Sequence, residues 1–175
     1  PYEYAELRGV VVDTVQGPIR YDDTFLDRLT TIPQHGIMAE RIGTLSALTI
    51  DGGRPRDPAK DAAQRFLDAL KKSGVSVGSS VIPGTVPQVP PAVQVADTGS
   101  PTMAELARLT NVPSNNFLAE MLLKDLGGQF GPTGSTASGI GEVREFASER
   151  GADFRGENGS GLSRRNRASP SSVVR

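Results

Sequence analysis

Glycine and proline interrupt this chain so often that it can form only short secondary-structure elements. Of its 175 residues, 20 are glycine and 13 are proline. Glycine adopts the positive φ that tight turns require, and proline lacks the backbone donor that a helix interior or a central strand needs. The uninterrupted apolar runs between them are only a few residues long, and none could span a bilayer. We therefore expect short helices and strands joined by frequent turns, with no integral membrane segment.

Charge and the scarcity of cysteine and histidine exclude several classes of protein. The chain has 19 Lys and Arg residues against 20 Asp and Glu residues, so its net charge is −1. This balance argues against a nucleic-acid binder held by a basic surface. With no cysteine, disulfide frameworks, cysteine–zinc sites and thiol nucleophiles are excluded. The single histidine, His35, precedes Gly36 and is interpreted as a surface or turn residue. Because cysteine is absent, histidine occurs once and the sequence has no P-loop or dinucleotide-binding glycine pattern, we expect no metal and no cofactor.

The first half of the chain combines strand patterns with one clear helix. Segments 45–50 and 92–95 are rich in β-forming residues and are predicted to be strands. Asp57 can cap a helix, Pro58 suits its first position and Gly74 can end it. Its apolar residues recur at spacings of three and four and predict one buried stripe: Ala59, Ala62, Ala63, Phe66, Leu67 and Leu70.

From residue 100 onward the pattern becomes helical. Ser100-Pro101 is predicted to begin a first helix, which Pro113 ends. In a second helix, which Gly127-Gly128 is expected to stop, the apolar stripe is Phe117, Leu118, Met121, Leu122 and Leu126. A third helix is expected to end at Gly151. By themselves, Ser114-Asn115-Asn116 would be interpreted as the cap of the second helix.

Three blocks of sequence carry a resemblance to one enzyme family. Residues 114–128, SNNFLAEMLLKDLGG, resemble the second active-site motif of the D-alanyl-D-alanine carboxypeptidase/endopeptidase family of low-molecular-mass penicillin-binding proteins, S-D-N followed by L-x-A-E-x-L-L-K-x-L-G. Residues 134–143 resemble its G-S-x-x-x-G-x-x-x-V helix start, and residues 158–170 its D-G-S-G-L-S-R-x-N-R-x-S-P block. Upstream, residues 46–48 and the helix that follows Asp57 are similar to the family's inserted domain. The resemblance covers nearly the whole chain.

The resemblance implies an α/β fold with two parts. Residues 1–98 would form an inserted mixed β/α domain, and residues 99–175 the helical side of a partial penicillin-binding-protein catalytic domain of the β-lactamase/transpeptidase type. The implied activity is that of a peptidoglycan DD-carboxypeptidase/endopeptidase, a serine enzyme that hydrolyses D-Ala-D-Ala peptides outside the cytoplasmic membrane. Its implied partners are peptidoglycan peptides and β-lactams.

The same resemblance assigns two site residues. Ser114 would relay a proton to the leaving amine, and Asn116 would hold the substrate amide and orient the catalytic lysine. Asn115 and Asn158 both stand where the family usually has aspartate. Arg164, in the last block, is interpreted as structural rather than catalytic.

Two motifs that this chemistry needs are absent from the sequence. Penicillin-recognising serine enzymes also use S-x-x-K, for the nucleophile and base, and K-T-G. No serine lies three residues before any of the lysines, Lys60, Lys71, Lys72 and Lys124, and no Lys or His precedes Thr-Gly. We therefore predict a middle portion that needs flanking segments of the same protein and is inert toward penicillin alone. The alternative is a non-catalytic peptidoglycan-binding or scaffolding module.

Overall fold

A computed structural model describes residues 12–27, 42–87 and 92–174. Across these ranges the chain forms the following helices and strands in order: β1 Thr14–Val15, β2 Ile19–Tyr21, α1 Pro58–Lys72, β3 Ser76–Val77, β4 Val81–Pro83, α2 Met103–Asn111, α3 Asn116–Phe130, α4 Thr136–Glu149, β5 Phe154–Arg155, β6 Arg167–Ala168 and α5 Pro170–Val173. The expected mixture of helices and short strands is confirmed. His35 lies outside the described residues.

The first four strands make one interrupted parallel ladder. β1 pairs with β3 and β2 pairs with β4, and in both pairs the partner lies 62 residues further along the chain, 14 with 76 and 19 with 81. The ladder is interrupted at Gly17 and Gly78, whose backbones lie in close contact. A Cβ on Gly78 would lie only 2.7 Å from the Gly17 carbonyl oxygen. Parallel strands need a long crossover, and α1 supplies it and packs on the ladder.

The limits of α1 are those that the sequence predicts. Asp57 accepts a hydrogen bond from the Lys60 N–H at 3.1 Å, and Gly74 adopts a φ of 86° just after the helix. Its buried stripe is narrower than expected, since Phe66 is 56% exposed. Three of the four buried residues recur every fourth position, and the short strands of the ladder cover only that narrow face: Ala59, Ala63 and Leu67.

The predicted strands at 45–50 and 92–95 are wrong. Segment 45–50 is irregular, with bends, and leads into a single 3₁₀ turn at Asp51–Gly53; the Thr44 N–H donates to the Gly53 carbonyl at 2.7 Å. The backbone therefore closes locally instead of pairing with another strand. Leu45 is buried beside Ile42 against the start of α3, which gives the apolar residues of this segment their partner.

The first of the later helices begins two residues after the predicted position. The cap of α2 is Thr102, whose side chain accepts from the Glu105 N–H at 3.3 Å, and not Ser100. Thr102 and Glu105 stand in the T-x-x-E spacing of a capping box, which explains the choice. Because Pro113 follows the last residue of α2, Asn111, by two positions, the predicted break there is confirmed.

The two glycines expected to stop α3 instead lie inside it. The helix continues to Phe130, and the glycines serve its contact with α4. A Cβ on Gly127 would lie 2.6 Å from the Gly139 backbone nitrogen, and one on Gly139 would lie 1.9 Å from the Leu123 carbonyl oxygen. The absence of side chains at these positions lets the two helix backbones approach closely. No helix in the described ranges is both long and apolar enough to cross a membrane.

The most buried face of α3 also differs from the predicted apolar stripe. Those apolar residues are half-buried, whereas the most buried positions recur at i, i+3, i+4 and i+7: Glu120, Leu123, Lys124 and Gly127. Helix α3 is therefore surrounded by other parts of the chain, and two of its charged residues face inward.

Candidate active-site segment

The residues matching the S-x-N motif form the tight turn between α2 and α3. Ser114 is exposed and has a φ of 55°, in the left-handed region that non-glycine residues rarely adopt. Its N–H donates to the Asn111 carbonyl at 3.3 Å, and the Asn115 N–H donates to the Thr110 carbonyl at 2.8 Å. Strained backbone of this kind is concentrated at functional sites, where the surrounding structure maintains it.

Asn115 is the residue that caps α3. Its Oδ1 accepts a hydrogen bond from the Leu118 N–H at 3.1 Å, and Asn116 is the first residue of the helix. Neither Ser114 nor Asn116 is therefore needed as the cap. Asp and Asn are about equally good caps, so the departure from aspartate at position 115 leaves the turn intact.

The start of α3 rests on two separate segments of the chain. Phe117 and Met121 pack against the buried pair Ile42 and Leu45, and Leu162 packs on the same cluster. A Cβ on Gly53 would lie 2.7 Å from the Phe117 ring, so the 3₁₀ turn also lies directly on the helix. The S-x-N turn is thus attached to a helix start that is packed on a buried apolar cluster.

Glu120 is fully buried and holds the loop that follows β5. It accepts hydrogen bonds from the Ser160 N–H at 2.9 Å and the Gly159 N–H at 3.2 Å, one at each carboxylate oxygen. A Cβ on Gly159 would lie 2.5 Å from the Ala119 carbonyl oxygen, so the loop backbone lies against the helix backbone. Sequence reasoning missed this role, although Glu120 is the glutamate of the L-x-A-E pattern that carries the resemblance.

Lys124, one turn further along α3, is 1% exposed and forms an ion pair with Asp27 Oδ1. Its Nζ also lies 3.4 Å from the Asp27 carbonyl oxygen. Next to this pair, Leu26 forms a parallel bridge with Gly134, and the Asp27 N–H donates to the Gly134 carbonyl at 2.8 Å. The segment before residue 28 is therefore bound to both α3 and the start of α4.

The loop between β5 and β6 is held by its own side chains. Buried Asn158 accepts a bond from Asn166 Nδ2 at 2.8 Å, and Asn166 Oδ1 accepts from the Glu157 N–H at 2.8 Å. Ser163 Oγ donates to Glu157 at 2.8 Å. The residue at position 158 accepts this hydrogen bond through a side-chain oxygen, and asparagine and aspartate both have one. Arg164 is exposed, and its carbonyl accepts a bond from Arg167.

In the described part of the chain, Ser114 and Asn116 line neither of two clefts that open on the surface. One, of about 590 Å³, has Tyr21, Ser46 and Arg56 among its walls. The other, of about 810 Å³, is lined by residues from α4, from β5 and from the loops on either side of β5. Ser114 lies exposed at the surface, and Asn116 is half-buried beside it. In the described ranges no three His, Asp or Glu side chains form a group that could hold a metal ion.

Comparison with known proteins identifies one family and one similar enzyme. The D-Ala-D-Ala carboxypeptidase 3 (S13) family matches residues 8–175. A D-alanyl-D-alanine carboxypeptidase from Actinomadura sp. (strain R39) is 33% identical over 179 aligned residues, which are 98% of this chain and 32% of that protein. The chain thus spans about a third of the length of this relative. Because the family match extends over nearly the whole chain, the chain belongs to the D-Ala-D-Ala carboxypeptidase 3 (S13) family.

Proposed function

We propose that this chain is the middle portion of a serine-type DD-carboxypeptidase/endopeptidase that acts on peptidoglycan outside the cytoplasmic membrane. The observation that carries the proposal is the turn at residues 114–116. Its sequence resembles the family's S-x-N motif, it leads directly into α3, and the cap of that helix is Asn115. The side chains of Ser114 and Asn116 are thereby left available for chemistry.

The reaction transfers the acyl group of a D-Ala-D-Ala peptide to a serine and then to water. A serine hydroxyl is a weak nucleophile until an adjacent base removes its proton, and the leaving amine must in turn receive a proton. We assign the relay of that proton to Ser114. Nucleophile, base and K-T-G strand would come from flanking segments of the same protein, because this sequence contains neither motif.

Asn116 is assigned to substrate binding and to orientation of the catalytic lysine. A carboxamide donates and accepts hydrogen bonds at once, so it can hold a peptide amide and contact a lysine without adding charge beside it. Placement at the first position of α3 restricts the backbone of Asn116, and the cluster beneath Phe117 anchors that turn. Such preorganisation makes the group more effective in the transition state.

The two-part division belongs to the same proposal, with an inserted mixed β/α domain at 1–98 and part of the catalytic domain at 99–175. The βαβ unit formed by β1 to β4 supports the first part, and α2 to α4 support the second. Contacts between Asp27 and Lys124, and between Leu26 and Gly134, join the two. β-Lactams would act as substrate mimics that acylate the same serine.

Labelling by a fluorescent penicillin tests the proposal. In the protein at its natural full length, Asn116→Ala should slow acylation about 100-fold or more, as removal of a preorganised donor does at comparable sites. Asn115→Asp is the matched control: it keeps the cap, so the labelling rate should stay within about twofold. The chain at 1–175 should not label at all.

Each other outcome contradicts a part of the proposal. Equal labelling of Asn116→Ala and the unsubstituted protein would remove Asn116 from the site. Covalent labelling of residues 1–175 alone would place a nucleophile inside this chain. An unsubstituted full-length protein that binds soluble muropeptides but never labels would favour a non-catalytic peptidoglycan-binding module.

A further inference from the structure

Glu120 is a buried carboxylate for which the proposed mechanism has no use. It is 0% exposed and lies four residues after Asn116, one turn along nearly the same face of α3. Burying a charged carboxylate is costly unless hydrogen bonds compensate. The compensation here comes from the backbone N–H groups of Gly159 and Ser160, at 3.2 and 2.9 Å, each at a different oxygen.

These bonds set the position of a distant loop relative to the start of α3. The loop lies 39 residues away in sequence, yet its backbone touches the helix backbone at Gly159, where a Cβ would lie 2.5 Å from the Ala119 carbonyl oxygen. Three residues later, Leu162 packs against the buried pair Ile42 and Leu45, on which Phe117 and Met121 also pack. The loop is therefore held on the same turns of α3 that present Asn116.

Lys124 is a second buried charge on α3, and it binds a different segment of the chain from the one that Glu120 binds. It is as buried as Glu120 and lies four residues further along, but its ion pair is with Asp27. Both charges tie α3 to a distant part of the chain, and of the two segments only the loop at 159–162 shares a packing cluster with the first turn of the helix. This makes Lys124 a matched comparison for Glu120.

We infer that Glu120 is a positioning residue for substrate binding, whose carboxylate holds Gly159 and Ser160 so that the 159–162 loop forms a fixed wall beside Asn116. The inference rests on the proposed function. Glu120 touches neither substrate nor reacting atoms, so its loss should weaken substrate binding and leave the chemical step unchanged. In Glu120→Gln the side-chain volume stays, but an amide NH₂ replaces one acceptor and faces a backbone N–H.

Steady-state hydrolysis of a D-Ala-D-Ala peptide by the full-length protein separates this role from a structural one. We expect Glu120→Gln to raise KM about tenfold and to change kcat by less than about twofold. A folding defect alone would reduce the active fraction, which lowers kcat and leaves KM unchanged. Lys124→Met should lower the unfolding temperature and leave KM unchanged. An unchanged KM in Glu120→Gln, or an equal rise of KM in Lys124→Met, would overturn the inference.

A second measurement does not depend on activity. Hydrogen exchange at the Gly159 and Ser160 amides should be at least about tenfold faster in Glu120→Gln than in the unsubstituted protein, and unchanged in Lys124→Met. Unchanged exchange in Glu120→Gln would show that the carboxylate does not hold the loop. If Glu120→Gln does not fold, Ser160→Pro removes the 2.9 Å bond from the loop side and should raise KM in the same way. A protein that exchanges as expected but hydrolyses no peptide would contradict the proposed function alone.

Discussion

The two longest helices of the molecule, α1 and α3, are buried by different means. The buried side chains of α1 are small or apolar, Ala59, Ala63 and Leu67 among them, and they cover the parallel ladder whose strands β3 and β4 follow the helix in sequence. Helix α3 instead buries Glu120 and Lys124, and each of them binds a segment distant in sequence. A helix that only covers a sheet needs apolar area, whereas a helix that gathers separate segments uses directional polar contacts.

This difference has an energetic counterpart. Apolar burial is non-directional and tolerates small displacements of the partner surface. A buried charge is stable only when its partner lies at hydrogen-bond distance, so it specifies one arrangement and is costly to disturb. We therefore expect substitutions on and around α3 to destabilise the protein when they leave a buried charge without its partner. Substitutions on α1 should destabilise it when they remove buried side-chain volume.

The largest expected effect is the loss of the carboxylate that faces Lys124. Asp27→Asn should lower the free energy of unfolding by about 3–5 kcal/mol, because the buried ammonium then faces a neutral amide. Asp51→Asn is the control, since its ion pair with Arg65 is on the surface, with side chains 48% and 57% exposed. That change should cost less than about 1 kcal/mol. Chemical denaturation of both variants measures the difference, and equal losses would contradict the comparison.

On α1 the expected loss of stability follows from the buried side-chain volume that a substitution removes. Leu67→Ala should lower the free energy of unfolding by about 2–5 kcal/mol, since Leu67 is fully buried between α1 and the strands. Phe66→Ala, at the neighbouring exposed position, should cost less than about 1 kcal/mol although it removes a larger side chain. Should Phe66→Ala prove the more damaging in a denaturant titration, the buried face assigned to α1 would be wrong.

The contact between α3 and α4 gives a smaller effect of defined sign. In Gly139→Ala the new Cβ would lie 1.9 Å from the Leu123 carbonyl oxygen, so the helices must separate, at a cost of about 1–3 kcal/mol. Gly141→Ala, two residues later on α4, meets no atom within 4 Å and should stabilise the protein by about 0.5–1 kcal/mol. Thermal unfolding of both variants measures the difference. If both substitutions lower the unfolding temperature, or both raise it, Gly139 does not mark the contact between α3 and α4.

The smallest expected effect concerns Asp22, a carboxylate that accepts hydrogen bonds as Glu120 does but in solvent. The Thr24 hydroxyl, at 2.6 Å, and then the Thr24 N–H, at 2.9 Å, hold the pKa of Asp22 below its ordinary value of 3.8. Because the pKa of Asp22 is lower in the folded state, the contact stabilises the protein fully above the ordinary value of 3.8. This stabilisation is lost as the pH falls through the folded-state pKa. Thr24→Val should raise the pKa of Asp22 toward 3.8 in an NMR titration. An unchanged pKa would assign the shift to another group.

Local sequence determined some of the helix ends, but not the start of α2 or the end of α3. Asp57 caps α1 as predicted, and Gly74 and Pro113 lie just beyond helix ends. These features depend on a side chain and a backbone group three or four residues apart, so they can be found without knowing the rest of the fold. The candidate residues Ser114 and Asn116 were likewise found from one short motif and its order relative to the later blocks.

Tertiary structure alone decided what is buried and which segments pair. Segment 45–50 has strand-forming residues but is irregular, with Leu45 packed near the start of α3, and Gly127 lies inside a helix because α4 approaches it there. Glu120 and Lys124 look like solvated charges in the sequence, and their partners are 39 and 97 residues away. Burial depends on the groups that arrive from distant parts of the chain, and the spacing of residues within one helix does not contain that information.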